Sequence, residues 1–329
     1  MTEPVRALLF GVGAIGAGIG RLAAAREEIA LVAAADAAPG KAGAPLYEAL
    51  GVAPRPGVPQ PAIEADVERA LADAKPQVVL HATGSFLADV APQLIACARG
   101  GANVVSTCEE LAYPWRGHPE AKQLDAEAKA HGVTILGTGV NPGFVMDTLA
   151  VTLSGVCQRV ERIRLTRVVD VATRREQLQR KVGVGLTTNE FREQAATGRF
   201  GHIGLLESLL LLADGLGWSS GRLDYVFEME PVLGPDGLVI GMRQIAEGMY
   251  EGRTVIEATI EMLAGAERPR DEIEIDGTPP VHMVIEGGIP GDSATAAIIV
   301  NAVPRVVAHA PGLITMLDLP VVAGKGVAP

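Results

Sequence analysis

The first part of the chain alternates short apolar runs with segments of helical periodicity. The apolar runs are VRALLF, IALVAAAD, QVVLHAT, ANVVST and VTILGT, and amphipathic segments such as ADVERALADA lie between them. Continuous apolar runs that alternate with helices are typical of a parallel sheet with both faces covered. The pattern therefore predicts an α/β fold with a doubly wound parallel sheet over residues 1–145.

The pattern changes after residue 145. The runs RIRLTRVVDVAT, YVFEMEPVL and DEIEIDG are longer and more polar, with partial alternation of apolar and polar positions. Such strands suit an antiparallel sheet with one solvated face. We therefore expect an α+β second domain over 146–295, built on a mainly antiparallel sheet and interrupted by helices around TTNEFREQAA and GLLESLLLLAD. The last segment, 296–329, is a helix and tail that either caps this domain or returns to the first.

A glycine pattern follows the first predicted strand. GVGAIG has the form G-x-G-x-x-G and opens the first predicted helix, which is typical of the dinucleotide-binding turn of a Rossmann domain. The helix N-terminus supplies free N–H groups and a favourable dipole to a pyrophosphate. The cofactor-binding residues predicted from this loop are Gly11, Gly13, Ala14, Ile15 and Gly16.

An acidic residue ends the second predicted strand. Asp36 lies 20 residues after Gly16, the spacing expected for a carboxylate that binds a ribose 2′-hydroxyl. Its charge would repel a 2′-phosphate, so NAD is favoured over NADP. Lys41, in the following loop, weakens this preference.

Polar residues also end the fourth predicted strand, in HATGS. The carboxyl ends of parallel strands line the ligand crevice of a doubly wound sheet. We expect Thr83 and Gly84 to pass near the nicotinamide ribose, whereas His81, a lone histidine at a strand end, is more often structural.

Two adjacent carboxylates follow the fifth predicted strand, in STCEELAYPW. Either Glu109 and Glu110 form a solvated pair in a turn, or one of them is a catalytic acid/base. Neighbouring side chains diverge in an extended or tightly turned segment, so only one of the two is expected to face the crevice. The other is expected to cap a helix or to pair with a cation. Leu111, Tyr113 and Trp115 offer an apolar wall that would raise the pKa of the catalytic carboxyl.

A second turn-rich segment, GTGVNPGFVMD, ends the sixth predicted strand and leads into the second domain. It is either a hinge alone or part of the ligand site. We expect Asn141 to bind the nicotinamide carboxamide or to order the loop, and Val140, Phe144 and Val145 to line an apolar substrate pocket.

Charge and cysteine content exclude several classes of protein. The formal net charge of −11 argues against nucleic-acid binding, which needs a basic face. No uninterrupted apolar stretch is long enough to predict a membrane-spanning helix. The three cysteines have no metal-binding or disulfide spacing, so we predict no metal and a cytoplasmic location.

The chain resembles the 2,4-diaminopentanoate dehydrogenases and the related native amine dehydrogenases, within the wider dihydrodipicolinate-reductase-like group. The motifs that carry the resemblance are the G-x-G-x-x-G start, STCEELAYPW, GTGVNPGFVMDTL, KVGVGLT and the ending GDSATAAIIVNAVPRVVAHAPGLITMLDLP. The segment VVDVATRREQLQRKVGVG lacks the His-His-x-x-Lys pattern of dihydrodipicolinate reductase, which argues against that reaction.

The resemblance implies a Rossmann domain, an α+β domain that forms a homodimer, and NAD or NADP as cofactor. It also implies reversible conversion of a small amine into a ketone or aldehyde plus ammonia. An essential glutamate of the family maps onto Glu109 or Glu110, and we expect Glu109.

Two alternatives stay open at this point. The first is a dehydrogenase of a diamino acid or a semialdehyde on the same scaffold. Arg174 and Arg175 would be a candidate clamp for its carboxylate, although two arginines after a strand are more often a solvated surface pair. The second is a dinucleotide-binding sensor without turnover. His202 and Glu207 are further polar residues of interest in the second domain.

Overall fold

The structure, a computed structural model, describes residues 3–172, 176–218 and 222–326. The chain up to Val140 and the chain from Pro290 onward together form one compact unit. Asn141–Ile289 forms the other unit. The sequence analysis placed its domain boundaries at 145 and 295. None of the helices in the described ranges combines the length and apolar content needed to cross a bilayer.

The first unit is built on a seven-stranded sheet in which all neighbouring strands are parallel. Its strands are β1 (Val5–Phe10), β2 (Ile29–Ala35), β3 (Ile63–Glu64), β4 (Val78–His81), β5 (Asn103–Ser106), β6 (Thr134–Gly137) and β13 (Gly312–Ile314). The strand order is β13-β6-β5-β4-β1-β2-β3. The chain direction across the sheet therefore reverses between β1 and β4, where open α/β sheets bind their ligands.

Helices cover both faces of this sheet. They are α1 (Ala14–Ala25), α2 (Leu46–Leu50), α3 (Val67–Ala74), α4 (Leu87–Arg99), α5 (Glu120–Ala130) and α10 (Gly291–Val307). Alternate strand residues such as Leu8, Val79 and Val104 pack against α3, α4 and α5. α10 packs on α1 and on β4, β5 and β6, so the final helix belongs to the first unit. α1 and α3 pack on β2, which is buried along its whole length.

The second unit is built on a six-stranded sheet with the order β12-β11-β7-β10-β9-β8. Its strands are β7 (Arg159–Asp170), β8 (Leu223–Leu233), β9 (Val239–Tyr250), β10 (Arg253–Leu263), β11 (Arg270–Thr278) and β12 (Val281–Glu286). β7 and β10 are parallel and the other neighbours are antiparallel. Its helices are α6 (Thr148–Ser154), α7 (Glu176–Lys181), α8 (Thr188–Ala195) and α9 (Leu205–Gly215).

The two faces of the second sheet differ in chemistry. Ile163, Ile256 and Ile273 are buried on one face, and α9 packs on β9 and β10. The opposite face carries ion pairs between neighbouring strands, including Arg162 with Asp276 and Glu257. The predicted fold class, a doubly wound parallel sheet plus a second, mainly antiparallel sheet, is confirmed.

Candidate active site

The glycine loop joins β1 to α1 at the point where the strand order reverses. Gly11 has φ +90°, a conformation that favours glycine, and a Cβ there would lie 2.5 Å from the Ala82 carbonyl oxygen at the end of β4. A Cβ at Gly16 would lie 1.8 Å from the Gly11 carbonyl oxygen. These two glycines therefore allow the turn and the close approach of α1 to it.

Gly13 differs from its neighbours, because a Cβ there would meet no described atom within 4 Å. Packing against the described residues does not explain a glycine at this position. Gly13 and Ala14 are exposed at the start of α1, and Gly13, as N-cap, has no side chain to bond the first N–H groups of the helix. Open space beside uncapped N–H groups fits the pyrophosphate of a dinucleotide.

Asp36 follows β2 and is held by the glycine loop. Its Oδ2 accepts hydrogen bonds from the Val12 N–H at 2.7 Å and from Lys41 Nζ at 2.7 Å. Its Oδ1 accepts the Ala38 N–H at 2.9 Å. Burial alone would raise the pKa of Asp36, but Lys41 and the two N–H donors outweigh it and hold the pKa below its usual range. Asp36 is therefore an anion with a bound cation beside it.

His81 is the centre of a buried hydrogen-bond cluster at the end of β4. Its Nδ1 lies 2.8 Å from Ser106 Oγ, and its Nε2 lies 2.8 Å from Thr83 Oγ1 and 3.0 Å from Gln93 Oε1. Burial lowers the pKa of His81 to about 4, so the ring is neutral near pH 7. These contacts join β4, β5 and α4, as expected for a structural histidine. Thr83 is exposed and Gly84 is partly exposed, beside the glycine loop.

The carboxylate pair lies in a 3₁₀ turn, Glu109–Ala112, directly after β5. Glu110 Oε2 accepts the Leu87 N–H at 2.7 Å, and the Glu110 N–H donates to the Ser85 carbonyl at 3.3 Å. His118 Nδ1 lies 3.8 Å from the same carboxylate. Leu87 is the first residue of α4, so Glu110 caps that helix from a neighbouring segment.

The turn that carries Glu109 is fixed from both sides. The Cys108 N–H donates to Ser106 Oγ at 3.1 Å, and Cys108 Sγ donates to the Ser85 carbonyl at 3.3 Å. A Cβ at Gly137 in β6 would lie 2.3 Å from the Leu111 carbonyl carbon. Burial, and then the charges of Glu109 and Glu110, raise the pKa of the Cys108 thiol, so this thiol is protonated near pH 7.

The apolar wall predicted around the pair forms only in part. Leu111 and Tyr113 are buried, whereas Trp115 is 44% exposed. Glu109 itself is partly exposed. Because its turn follows β5, Glu109 lies at the carboxyl edge of the parallel sheet, as do the glycine loop, Asp36 and Thr83.

Asn141 begins the second unit and is tied to α9. Its Nδ2 lies 3.2 Å from His202 Nε2 and 3.4 Å from Met146 Sδ. Its Oδ1 lies 3.2 Å from Ser208 Oγ. These contacts match the second of the two roles considered for Asn141, the ordering of its loop.

The sequence analysis did not single out Asp147 and Ser208, which complete this loop. Asp147 is fully buried, and it accepts the Gly143 N–H at 2.8 Å and the Ser208 hydroxyl at 2.7 Å. Burial raises the pKa of Asp147. A helix-capping aspartate before TLAVTLS was the available signal, since Asp147 is the N-cap of α6.

The three residues predicted to line a substrate pocket have different exposures. Val140 and Val145 are buried at 7% and 1%, and Phe144 is partly exposed. Phe144 is therefore the one of the three that is not buried. The candidate clamp residues Arg174 and Arg175 lie outside the described residues.

One group of side chains in the described ranges has the composition of a metal site. Possible ligand atoms of Glu272, Glu274 and His282 lie within 4.8 Å of one another. Glu272 pairs with Arg270 at 2.7 Å and with His282 at 2.9 Å, and Glu274 pairs with Arg164. These contacts show that both carboxylates belong to the face of the second sheet that carries ion pairs between strands.

A family profile and a known protein that match this chain point to the same family. A family profile, the 2,4-diaminopentanoate dehydrogenase C-terminal domain, matches residues 144–326. The chain is 31% identical to 2,4-diaminopentanoate dehydrogenase of Acetoanaerobium sticklandii, and the match covers 97% of this chain and 94% of that protein.

Solved structures agree with this match. An amine dehydrogenase from Mycobacterium smegmatis is 27% identical with a TM-score of 0.82, over 98% of this chain and 97% of that one. A probable dehydrogenase from Thermotoga maritima is 14% identical with a TM-score of 0.59, over 95% and 92% of the two chains, and shows a shared fold alone. The chain therefore belongs to the 2,4-diaminopentanoate dehydrogenase family of oxidoreductases, and its dinucleotide site fits NAD or NADP.

Proposed function

We propose that this protein catalyses the reversible, NAD(P)-dependent conversion of a small amine into a ketone or aldehyde plus ammonia, with Glu109 as acid/base. Membership of the family supports the reaction class. The observation that carries the residue assignment is the bond from the Leu87 N–H to Glu110 Oε2. It gives Glu110 a structural function and supports Glu109 for the chemical one.

Reductive amination asks three things of the protein. Ammonium must lose a proton to give ammonia, which attacks the carbonyl carbon, water must leave the carbinolamine, and hydride must reach the iminium carbon. Bound NAD(P)H supplies the hydride. Glu109 accepts a proton from ammonium, returns a proton to the departing hydroxyl, and as an anion stabilises the iminium cation. In the oxidative direction the same carboxylate accepts protons from the amine.

A diamino acid is the second candidate substrate class. The relative from Acetoanaerobium sticklandii is named for 2,4-diaminopentanoate, whereas the similar solved structure is named an amine dehydrogenase. A substrate carboxylate would need a cationic clamp. Substrate panels should therefore contain amino ketones with a carboxylate alongside simple ketones and aldehydes.

We propose in addition that the second unit forms a homodimer and that the protein acts in the cytoplasm. The edge strand β8 exposes Tyr225, Val226 and Phe227 at 43%, 47% and 41%, which supports a protein interface. Cys97, Cys108 and Cys157 are free thiols, as is usual in a reducing compartment.

The reaction is tested by NADH and NADPH oxidation with this panel, with and without ammonium. We expect turnover that requires ammonium. Turnover that is independent of ammonium would replace the amine reaction with an alcohol or carbon–carbon reduction. If the protein binds the cofactor but turns over no carbonyl compound, this would favour the alternative of a dinucleotide-binding sensor without turnover.

The carboxylate assignment is tested with a matched pair of variants. We expect Glu109→Gln to lower kcat about 100-fold or more, the usual effect of losing an acid/base group, with unchanged NAD(P)H affinity by fluorescence titration. Glu110→Gln keeps an acceptor oxygen for the Leu87 N–H, so we expect near wild-type activity. The opposite pattern would assign the chemistry to Glu110.

A further inference from the structure

The buried cluster around His81 is a continuous series of hydrogen bonds within the first unit. The series begins at the Cys108 N–H, which donates to Ser106 Oγ at 3.1 Å. Ser106 Oγ lies 2.8 Å from His81 Nδ1. On the other side of the ring, His81 Nε2 lies 2.8 Å from Thr83 Oγ1 and 3.0 Å from Gln93 Oε1. His81 and Ser106 have no exposed surface, so solvent does not compete for these bonds.

The partners of Nε2 determine which ring nitrogen of His81 carries the proton. Gln93 Oε1 is an amide oxygen, which only accepts, and it receives the Thr83 hydroxyl at 2.6 Å. Since both oxygens beside Nε2 then act as acceptors, Nε2 carries the hydrogen. Burial lowers the pKa of His81 to about 4, so the ring is neutral at pH 7 and its Nδ1 is an acceptor. The Ser106 hydroxyl therefore donates to Nδ1, while its oxygen accepts the Cys108 N–H.

All donors in this series have the same direction, and the series starts at the turn that carries Glu109. Cys108 is the N-cap of that turn, and the Thr107 N–H donates to the His81 carbonyl at 2.9 Å. His81 is therefore joined to both residues directly before Glu109, to one through its main chain and to the other through Ser106. Buried hydrogen bonds in such a series polarise one another, which favours a single arrangement.

We propose that His81 is a positioning residue for Glu109 and acts through Ser106. This assignment rests on the proposed function, in which Glu109 transfers protons. The Nδ1 acceptor holds the Ser106 hydroxyl, so that Ser106 Oγ presents its lone pairs to the Cys108 N–H. Without that acceptor the hydroxyl rotates to other partners, and the start of the turn is no longer fixed. A displacement of about 1 Å in a reacting group is enough to lower a rate about 100-fold.

Two amide variants of His81 separate the two sides of the ring. The side-chain amide of His81→Asn occupies the region of Nδ1 and retains an acceptor for Ser106. That of His81→Gln occupies the region of Nε2 and retains a donor to Gln93, but it offers Ser106 no acceptor. We expect kcat to fall about tenfold or more in His81→Gln and less in His81→Asn. Equal falls, or a larger fall in His81→Asn, would overturn the proposal.

A double-mutant cycle tests whether the effect reaches the reaction through Glu109. Ser106→Ala removes the link between His81 and Cys108, so we expect it to lower kcat about as much as His81→Gln, with unchanged NAD(P)H affinity by fluorescence titration. In the Glu109→Gln background the same substitution should lower kcat less than about twofold, because the carboxylate that it positions is gone. Equal effects in both backgrounds would show that Ser106 supports the fold or another group, and would sink the positioning role.

The direction of the series is tested on the whole protein by ¹⁵N NMR of labelled histidines. The protein has six histidines, and the signals absent from His81→Asn identify those of His81. We expect a neutral ring with its hydrogen on Nε2 at pH 7, and a hydrogen on Nδ1 or an imidazolium would contradict the proposal. If wild-type protein turns over no carbonyl compound with ammonium, the proposed function fails and the positioning role with it, whereas an Nε2–H ring would still confirm the direction of the bonds.

Discussion

Glu109 and Glu110 are neighbours in sequence but have different surroundings. Glu110 accepts the Leu87 N–H at the start of α4, where a carboxylate also stabilises the positive end of the helix dipole. The sequence alone predicts that one of two adjacent carboxylates turns away from the crevice. It does not predict which one, because the partner that decides, the Leu87 N–H, is 23 residues distant along the chain.

The contact between Lys41 and Asp36 predicts a measurable change in cofactor preference. Lys41 Nζ neutralises part of the charge that would repel a 2′-phosphate, and it can pair with that phosphate itself. We expect Lys41→Met to weaken NADPH binding about tenfold while NADH affinity changes less than about threefold. Fluorescence titration of both cofactors measures this. Equal losses for the two would mean that Lys41 only supports the loop.

His81 predicts a loss of stability in acid. Its pKa is lowered from 6.5 to about 4 by burial, so the folded state binds fewer protons than the unfolded state between these values. The stabilisation is complete above pH 6.5 and is lost as the pH falls towards 4, by roughly 3 kcal/mol for this one group. Urea unfolding at pH 7.5 and pH 4.5 checks this. His81→Asn should lose less stability on acidification than wild type, and an equal loss would contradict the assignment.

At the scale of elements, the Glu109–Ala112 turn depends on a glycine in the neighbouring strand. A Cβ at Gly137 would lie 2.3 Å from the Leu111 carbonyl carbon and 2.5 Å from its oxygen. Gly137→Ala must therefore displace the turn that carries Glu109. We expect a loss of about 1–3 kcal/mol in stability and a fall in kcat, with unchanged NAD(P)H affinity.

A second glycine gives the control for this substitution. At Gly18 in α1, an added Cβ would meet Ala296 Cβ at 3.9 Å, an ordinary contact. Gly18→Ala should therefore keep full activity and equal or higher thermal stability. Unchanged kcat in Gly137→Ala would show that the position of the turn is not important for catalysis.

The sequence predicts best those elements whose pattern of apolar residues extends over many positions. The apolar runs of the first sheet fall on β1, β2, β4, β5 and β6, and the runs quoted for the second sheet fall on β7, β8 and β11. β3 has two residues and β13 has three, too few for any periodicity to appear. Their place in the sheet depends on contacts with strands distant in sequence, which a single-chain pattern does not contain. The contacts of Ser208 with Asn141 and Asp147 were missed for the same reason, because they join residues more than 60 positions apart.

At the scale of the whole molecule, the path of the chain explains why its two ends serve one unit. The chain leaves the first sheet after β6, builds the second unit, and returns at Pro290 to add α10 and β13. The apolar periodicity of SATAAIIVNAVPRVV predicts a helix, but periodicity does not identify the surface on which a helix packs. Small residues on α1 and α10 determine the surface on which α10 packs, since Gly18 of α1 lies against Ala296 of α10.

The edge of the second sheet predicts the oligomeric state. Among the described strands, β8 has a neighbour on one side only. Val226 and Phe227 point to opposite faces of this strand, with 47% and 41% of their surfaces exposed. A stable homodimer needs about 800 Å² of buried surface per partner, and an exposed apolar edge strand is otherwise prone to aggregation. We expect twice the chain mass of 34.2 kDa by light scattering after size exclusion.

Charge placed on this strand should separate the subunits. Val226→Glu together with Phe227→Glu puts two like charges per subunit into the proposed interface, so we expect a monomer with an intact fold by circular dichroism. Val156→Glu is the matched control, because Val156 is also apolar and 70% exposed but lies outside β8, and this variant should stay dimeric. A monomeric wild type would refute the homodimer, whereas a dimeric double variant would move the interface away from β8.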